Sequence, residues 1–417
     1  MLQAIRGTKD ILPDNIDQWQ YLENKFKTVS DLYGYKELRT PIFEKTEVFS
    51  RSIGENTDIV NKEMYTFKDR DNENITLRPE MTAALVRSVI QNSLDYNLAV
   101  LRLWYFGPFF RYERPQKGRY RMFHQYGAEC ISSPYPESDA EILMLANMLI
   151  SSLNIKEYDL LINSLGNNES REKYRNELVE YLNSVKDQLS EESVIRLEKN
   201  PLRVLDSKDE RDAKALENAP AIIDCLDNES ADHFHRVREM LDNAGIKYKL
   251  DNRLVRGLDY YSHTVFEFRS DALGAQDSFG GGGRYDGLFE QLGGKPTPAV
   301  GFAMGVERLL LILEAEKAFP KFPAYTDLYL VVGDQSNYNY AAKVSEILRQ
   351  RGIRTTIELK RRKMKGQFKE ADKLNAKYTL IIGENEEQNN TVSVKNMASG
   401  EQSDIPLDKI ADHHFNL

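Results

Sequence analysis

The chain has 417 residues, 41% of them hydrophobic and 29% charged, enough apolar mass for two or three cores at about 150 residues per domain. A formal net charge of −9 excludes indiscriminate coating of nucleic acid but leaves room for local basic patches, and two cysteines exclude a disulfide framework or a four-cysteine zinc site. No apolar run approaches the roughly 18 residues that span a bilayer, and the N-terminus lacks the pattern of a secretory leader, so a cytoplasmic location is expected.

Trp19, Leu22, Phe26, Val29 and Leu32 recur at steps of three and four, which predicts an amphipathic helix over 17–33. Strand signals at 75–77, 100–106, 109–112 and 121–131 alternate with helical patterns over 79–91 and 137–153. Such blocks of neighbouring strands predict an α+β domain, an antiparallel β-sheet with flanking helices. From 167 to 245 the chain turns polar, acidic and helical, the pattern of a helical insertion. A strand at 264–268, the glycine run 280–283 and the apolar stretch 299–313 complete a first domain of residues 1–323. Phe319-Pro320-Lys321-Phe322-Pro323 marks a boundary, because proline ends helices and extends the residue before it. Strands at 328–332, 354–358 and 378–382 then alternate with helices at 340–351 and 367–375, a small C-terminal α/β domain over 324–417.

The usual nucleotide motifs are absent: Gly294-Lys295 runs into Pro296, and the glycine run has no G-x-G-x-x-G register. If the protein uses a nucleotide, arginines must hold its phosphates. On a strand, Arg121, Phe123, Gln125, Gly127 and Glu129 share one face and Met122, His124, Tyr126, Ala128 and Cys130 the other. The first face suits a pocket floor or the exposed side of an edge strand. Arg111 and Glu113 share a face by the same rule, and residues 114–120 read as a basic hairpin loop. Two segments concentrate positive charge: residues 111–121 carry five Lys/Arg against one Asp/Glu, and residues 349–373 carry ten against three. The glycine run reads as a tight turn or as backbone that a ligand approaches closely. His124 and His263 lack metal-ligand spacing and read as structural, and no metal site is expected.

Phe110-Arg111-Tyr112-Glu113, with the basic loop and the following strand, resembles motif 2 of the class II aminoacyl-tRNA synthetases. Gly301-Phe302-Ala303-Met304-Gly305-Val306-Glu307-Arg308 resembles motif 3 and Thr40-Pro41-Ile42-Phe43-Glu44 motif 1. Arg256-Gly257-Leu258-Asp259-Tyr260-Tyr261 and Gly281-Gly282-Gly283-Arg284-Tyr285-Asp286-Gly287 are similar to signature segments of the histidyl-tRNA synthetase family, as are Arg6-Gly7-Thr8-x-Asp10 and Leu77-Arg78-Pro79-Glu80-x-Thr82. The resemblance runs essentially end to end. It implies a ligase that activates L-histidine with ATP, then charges the 3′ end of histidine tRNA, releasing pyrophosphate and AMP.

By that resemblance Arg256, Arg111 and Arg308 are catalytic. Glu80, Thr82, Gln125, Glu129, Tyr260, Tyr261 and Tyr285 join Arg111 and Arg256 around histidine. Arg111, Glu113, Arg119, Phe123 and Arg308 hold ATP, with Mg²⁺ carried mainly by the phosphates. Gln116, Arg119, Arg361 and Arg362 contact tRNA, the last two from an anticodon-binding domain, and the family implies a homodimer. Met81 departs from the family, which more often has glycine there. Some paralogues of the catalytic domain are non-catalytic regulatory subunits or tRNA sensors, but these typically lack the C-terminal domain and the catalytic positions.

Overall fold

A computed structural model of the chain describes residues 2–54, 57, 59–96, 99–205, 207, 209–256, 258, 260–274 and 277–417. It divides into two compact units, Met1–Phe319 and Pro320–Leu417. The strands of the first are β1 (Lys36–Glu37), β2 (Phe43–Lys45), β3 (Tyr65–Lys68), β4 (Asn74–Leu77), β5 (Leu101–Phe110), β6 (Met122–Ile131), β7 (Asp159–Ser164), β8 (Lys249–Leu250), β9 (Ser262–Arg269), β10 (Ser278–Arg284) and β11 (Ala299–Gly305). Eight of them form one sheet in the order β1-β5-β6-β11-β10-β9-β7-β8, while β2-β4-β3 make a small separate sheet. The large sheet is mixed and not purely antiparallel: its six inner strands pair antiparallel, but β1 and β8 add to its edges in parallel.

One face of this sheet is the main core. Tyr126, Ala128 and Cys130 of β6, Phe266 and Phe268 of β9, and Val300, Phe302 and Met304 of β11 pack there. Against them lie Trp19, Leu22, Phe26 and Val29 from the helix Pro13–Leu32, and buried side chains of the helices Pro136–Ser152 and Val306–Ala315. Leu32, which continues the same stripe in sequence, is instead 66% exposed, because the helix ends there and the chain turns at Gly34. The stretches 100–106 and 109–112 are one strand up to Phe110, with Arg111 and Tyr112 beyond its end. Pro108 is tolerated because, among the described residues, β1 pairs with β5 at Leu103 and Trp104 and no strand pairs with that flank beside Pro108. The glycine run is neither a turn nor a loop: Gly280 to Gly283 lie in β10, paired on both sides.

Within 168–243 the chain forms the helices Asn168–Ser184, Glu191–Lys199, Glu210–Ala215 and Asn228–Asn243. The last carries Phe234, Val237 and Leu241 into the main core. The second unit is a five-stranded sheet of β12 (Leu328–Val332), β13 (Thr355–Ile357), β14 (Tyr378–Ile382), β15 (Thr391–Asn396) and β16 (Gln402–Pro406) in the order β13-β12-β14-β15-β16. The helix Tyr338–Gln350 covers one face through Ala341, Val344 and Leu348, and the helix Met364–Lys373 covers the other through Ala371. No helix among the described residues is long and apolar enough to cross a membrane.

Candidate active site

The opposite face of the large sheet opens into a cavity of about 970 Å³. Strand alternation builds its floor. Tyr126 and Ala128 face the core, so Phe123, Gln125 and Glu129 face the cavity, with Arg256, Glu267, Arg269 and Arg308 along its walls. β6 is an inner strand here, so the polar face is a pocket floor and not the outside of an edge.

One end is acidic, aromatic and buried. Glu129 is 1% exposed; Thr82 Oγ1 donates to its Oε1 at 3.1 Å and Tyr285 OH to its Oε2 at 2.7 Å. Its carboxylate fits because residue 301, its partner on β11, is glycine, and a Cβ there would collide with Oε2. Burial, aided by nearby Glu80, outweighs the two hydroxyl hydrogen bonds and leaves the Glu129 carboxyl raised to about 8. Glu80 lies just before the helix Thr82–Asn92 and accepts from the backbone N–H of Thr82 at 2.7 Å and Ala83 at 3.0 Å. Burial raises its carboxyl too, opposed by those N–H groups and by Arg111. Tyr260 stands between Tyr261 and Tyr285, with ring centroids 4.7 and 5.7 Å away. Gln125 Oε1 is buried without a hydrogen-bond partner among the described residues. Met81 is buried at the cavity margin, its sulfur turned toward Thr40 Oγ1 at 3.4 Å and Arg78.

The other end is cationic. Arg111 follows β5, where its Nε donates to the Pro79 carbonyl at 3.0 Å and its guanidinium lies 5.2 Å from the Phe123 ring centroid. Arg119 pairs with Glu113 at 3.0 Å, and Arg111 lies 3.9 Å from the same carboxylate. Arg308, in the first turn of the helix Val306–Ala315, donates to the carbonyls of Gly118 and Ser278. Burial lowers the Arg308 pKa, and Arg119 and Arg111 lower it further while Glu113 opposes them. Three crowded guanidinium groups outnumber the carboxylates beside them, Glu113 and more weakly Glu267, and so favour an anion. Arg256 reaches the same cavity and binds Glu267 at 2.6 Å.

Every residue expected around an amino acid or nucleotide therefore lines this cavity: Glu80, Thr82, Arg111, Glu113, Arg119, Phe123, Gln125, Glu129, Arg256, Tyr260, Tyr261, Tyr285 and Arg308. Gly257 and Asp259 of the signature segment lie outside the described residues. Gln116 is exposed at the hairpin tip, bridged to Arg119 through two backbone hydrogen bonds of 3.1 and 2.9 Å. Arg361 and Arg362 belong to the second unit. Arg361 is exposed and donates to Gln335, whereas Arg362 is held by Glu358 at 3.0 Å and Glu370 at 2.6 Å. His124 packs edge-on to Trp19 and is 3.0 Å from Glu307. The sequence reading missed Tyr105, Glu267 and Arg269, all cavity-lining. Alternation about the core residues Phe266 and Phe268 is the signal that exposes Glu267 and Arg269 on the facing side.

A family model described as histidyl-tRNA synthetase matches residues 7–309, and an anticodon-binding-domain model matches residues 327–413. The chain belongs to the histidyl-tRNA synthetase family. It is 46% identical to a histidine–tRNA ligase of Bacillus subtilis over 407 residues, covering 97% of this chain and 96% of that protein. Its fold is similar to the apo histidyl-tRNA synthetase of S. aureus, with a TM-score of 0.83, 40% identity and 99% of each chain covered. A structure from Bacillus halodurans described as an ATP phosphoribosyltransferase regulatory subunit/histidyl-tRNA synthetase shares the fold at TM-score 0.66 and 21% identity, over 92% of this chain and 98% of that one. The fold is that of the class II synthetases with a C-terminal anticodon-binding domain.

Proposed function

We infer that the chain joins L-histidine to ATP as histidyl-adenylate and then passes the histidyl group to the 3′ end of histidine tRNA. In the first step a histidine carboxylate oxygen attacks the α-phosphorus and pyrophosphate leaves. In the second, a terminal ribose hydroxyl of tRNA attacks the adenylate carbonyl and AMP leaves. The observation that carries this reading is a single cavity joining two buried carboxylates to a cluster of arginines. Among the described residues Glu129 accepts from two hydroxyls and Glu80 from two backbone N–H groups, with no cation in either set, so a cationic amine and an imidazole N–H supply what burial withholds. A competitor lacking those donors leaves the carboxylates unpaired, which is a strong basis for selection.

Arg111 and Arg256 suit the carboxylate and α-phosphate, where two anions must meet, and Arg308 and Arg119 suit the outer phosphates. Phe123, beside Arg111, offers a ring for adenine, with Glu113 near its amino group. Among the described residues no cluster of three or more acidic, His or Cys side chains could hold a metal. Mg²⁺ is expected with ATP, bound mainly through its phosphates and water and lending charge neutralisation. Gln116 and Arg119 on the hairpin suit the acceptor end of tRNA, and Arg361 suits a phosphate of the anticodon arm. We assign residues 1–323 to the catalytic domain, with 167–245 inserted, and 324–417 to the anticodon domain. A cytoplasmic homodimer fits the family. Pyrophosphate exchange into ATP, run with each amino acid in turn, tests the reading: histidine alone should support it. Exchange with another amino acid, or with none, contradicts it.

A further inference from the structure

We propose that Glu267 is a positioning residue for the activation step, fixing the Arg256 guanidinium across β10 where the α-phosphate must come. This rests on the activity inferred above. Arg256 sits in an irregular segment between β8 and β9, so no regular backbone ladder sets its direction. Its Nη1 instead donates to Glu267 Oε2 at 2.6 Å. The other oxygen of Glu267 accepts from Arg269 Nε at 2.5 Å, from two residues along the same strand and face. One carboxylate oxygen is thus anchored by Arg269 on an inner strand of the sheet, and the other is presented to Arg256.

The glycine run supplies the space. Glu267 is directly opposite Gly281 in the pairing of β9 with β10, and a Cβ at residue 281 would lie 2.7 Å from Arg256 Nη1 and 2.9 Å from its Cζ. The guanidinium therefore lies over bare backbone, reaching from its loop to the carboxylate. Arg256 Nε is buried and has no hydrogen-bond partner among the described residues, which leaves a donor for an incoming anion. Burial pushes the Glu267 carboxyl up, but Arg256 and Arg269 outweigh it and hold the group below its ordinary range, so it stays charged beside them.

Histidine-dependent pyrophosphate exchange on the full chain tests this. Glu267→Gln should lower kcat about 30-fold, within the loss a displaced catalytic group produces, while KM for histidine and ATP moves less than about threefold. In an Arg256→Ala background the same change should cost less than about twofold, because the group it positions is gone. Glu267→Asp, which keeps the charge, should recover part of the loss; if Glu267→Gln does not accumulate folded protein, Glu267→Asp carries the same cycle. Factors that multiply in the double variant, or Glu267→Asp as slow as Glu267→Gln, overturn the proposal. Wild-type protein that shows no exchange with histidine would instead remove the activity itself.

Discussion

The two ends of the cavity solve opposite electrostatic problems with the same device, a shortage of partners. At the acidic end Glu80 and Glu129 are buried among tyrosines, with no cation among their hydrogen bonds to the described residues. At the basic end Arg111, Arg119 and Arg308 crowd one another, with Glu113 closest to Arg111 and Arg119 and Glu267 a weaker influence on Arg308. Each end is costly when alone and is relieved by a ligand of the other sign. The difference is solvent: Glu129 is 1% exposed, whereas the side chain of Arg119 is 41% exposed. On the proposed assignment, selection of the amino acid belongs to the dry end, where an unpaired group costs most, and the wetter end takes the polyphosphate.

Breaking the basic end should have the largest effect. Arg111→Ala is expected to lower the exchange rate by roughly 10²–10³, the loss seen when one charge-stabilising donor is removed from an active site. Glu129→Ala should follow, raising KM for histidine by about 100-fold with KM for ATP within about threefold, as expected when a site loses its match to a buried polar group. Equal losses for both substrates would abolish the contrast between the ends. Stability sharpens it further. The Glu129 carboxyl is raised from 4.5 to about 8 in the fold, so its protonated form is the favoured one there. Its contribution is complete below the unfolded value and disappears as pH rises through 8. Glu129→Gln should accordingly melt a few degrees above wild type at pH 9 and converge with it near pH 5; parallel melting curves at all pH values would contradict this. The smallest effect is expected in the second unit. Arg361→Glu should weaken tRNA binding several-fold and flatten its salt dependence by about one unit of slope, leaving exchange intact. Arg362→Glu, which breaks the contacts with Glu358 and Glu370, should mainly lower melting temperature.

Much of this was legible in sequence where period-two alternation decides a face, as from Phe123 to Glu129 on β6, whereas Arg111 and Glu113 lie beyond the end of β5 and reach the cavity without a strand to alternate on. Legibility failed where pairing between distant strands decides. Gly281 serves a purpose only because β10 lies beside β9, and nothing local to the run announces Glu267 as its neighbour. The parallel edge strands Lys36–Glu37 and Lys249–Leu250 are two residues long, too short to carry a pattern. The hairpin of β15 and β16 went unread because Ser, Asn, Gln and Asp dilute its apolar positions. Phe234, Val237 and Leu241 are spaced as a helix stripe, but the polar residues around them hid that this stripe completes the main core.

The most direct test is a crystal structure with histidinol and ATP bound. The account predicts the imidazole within hydrogen-bonding reach of Glu129 and the triphosphate against Arg111 and Arg308. An imidazole bound away from Glu129, or phosphates lying clear of both arginines, would contradict it.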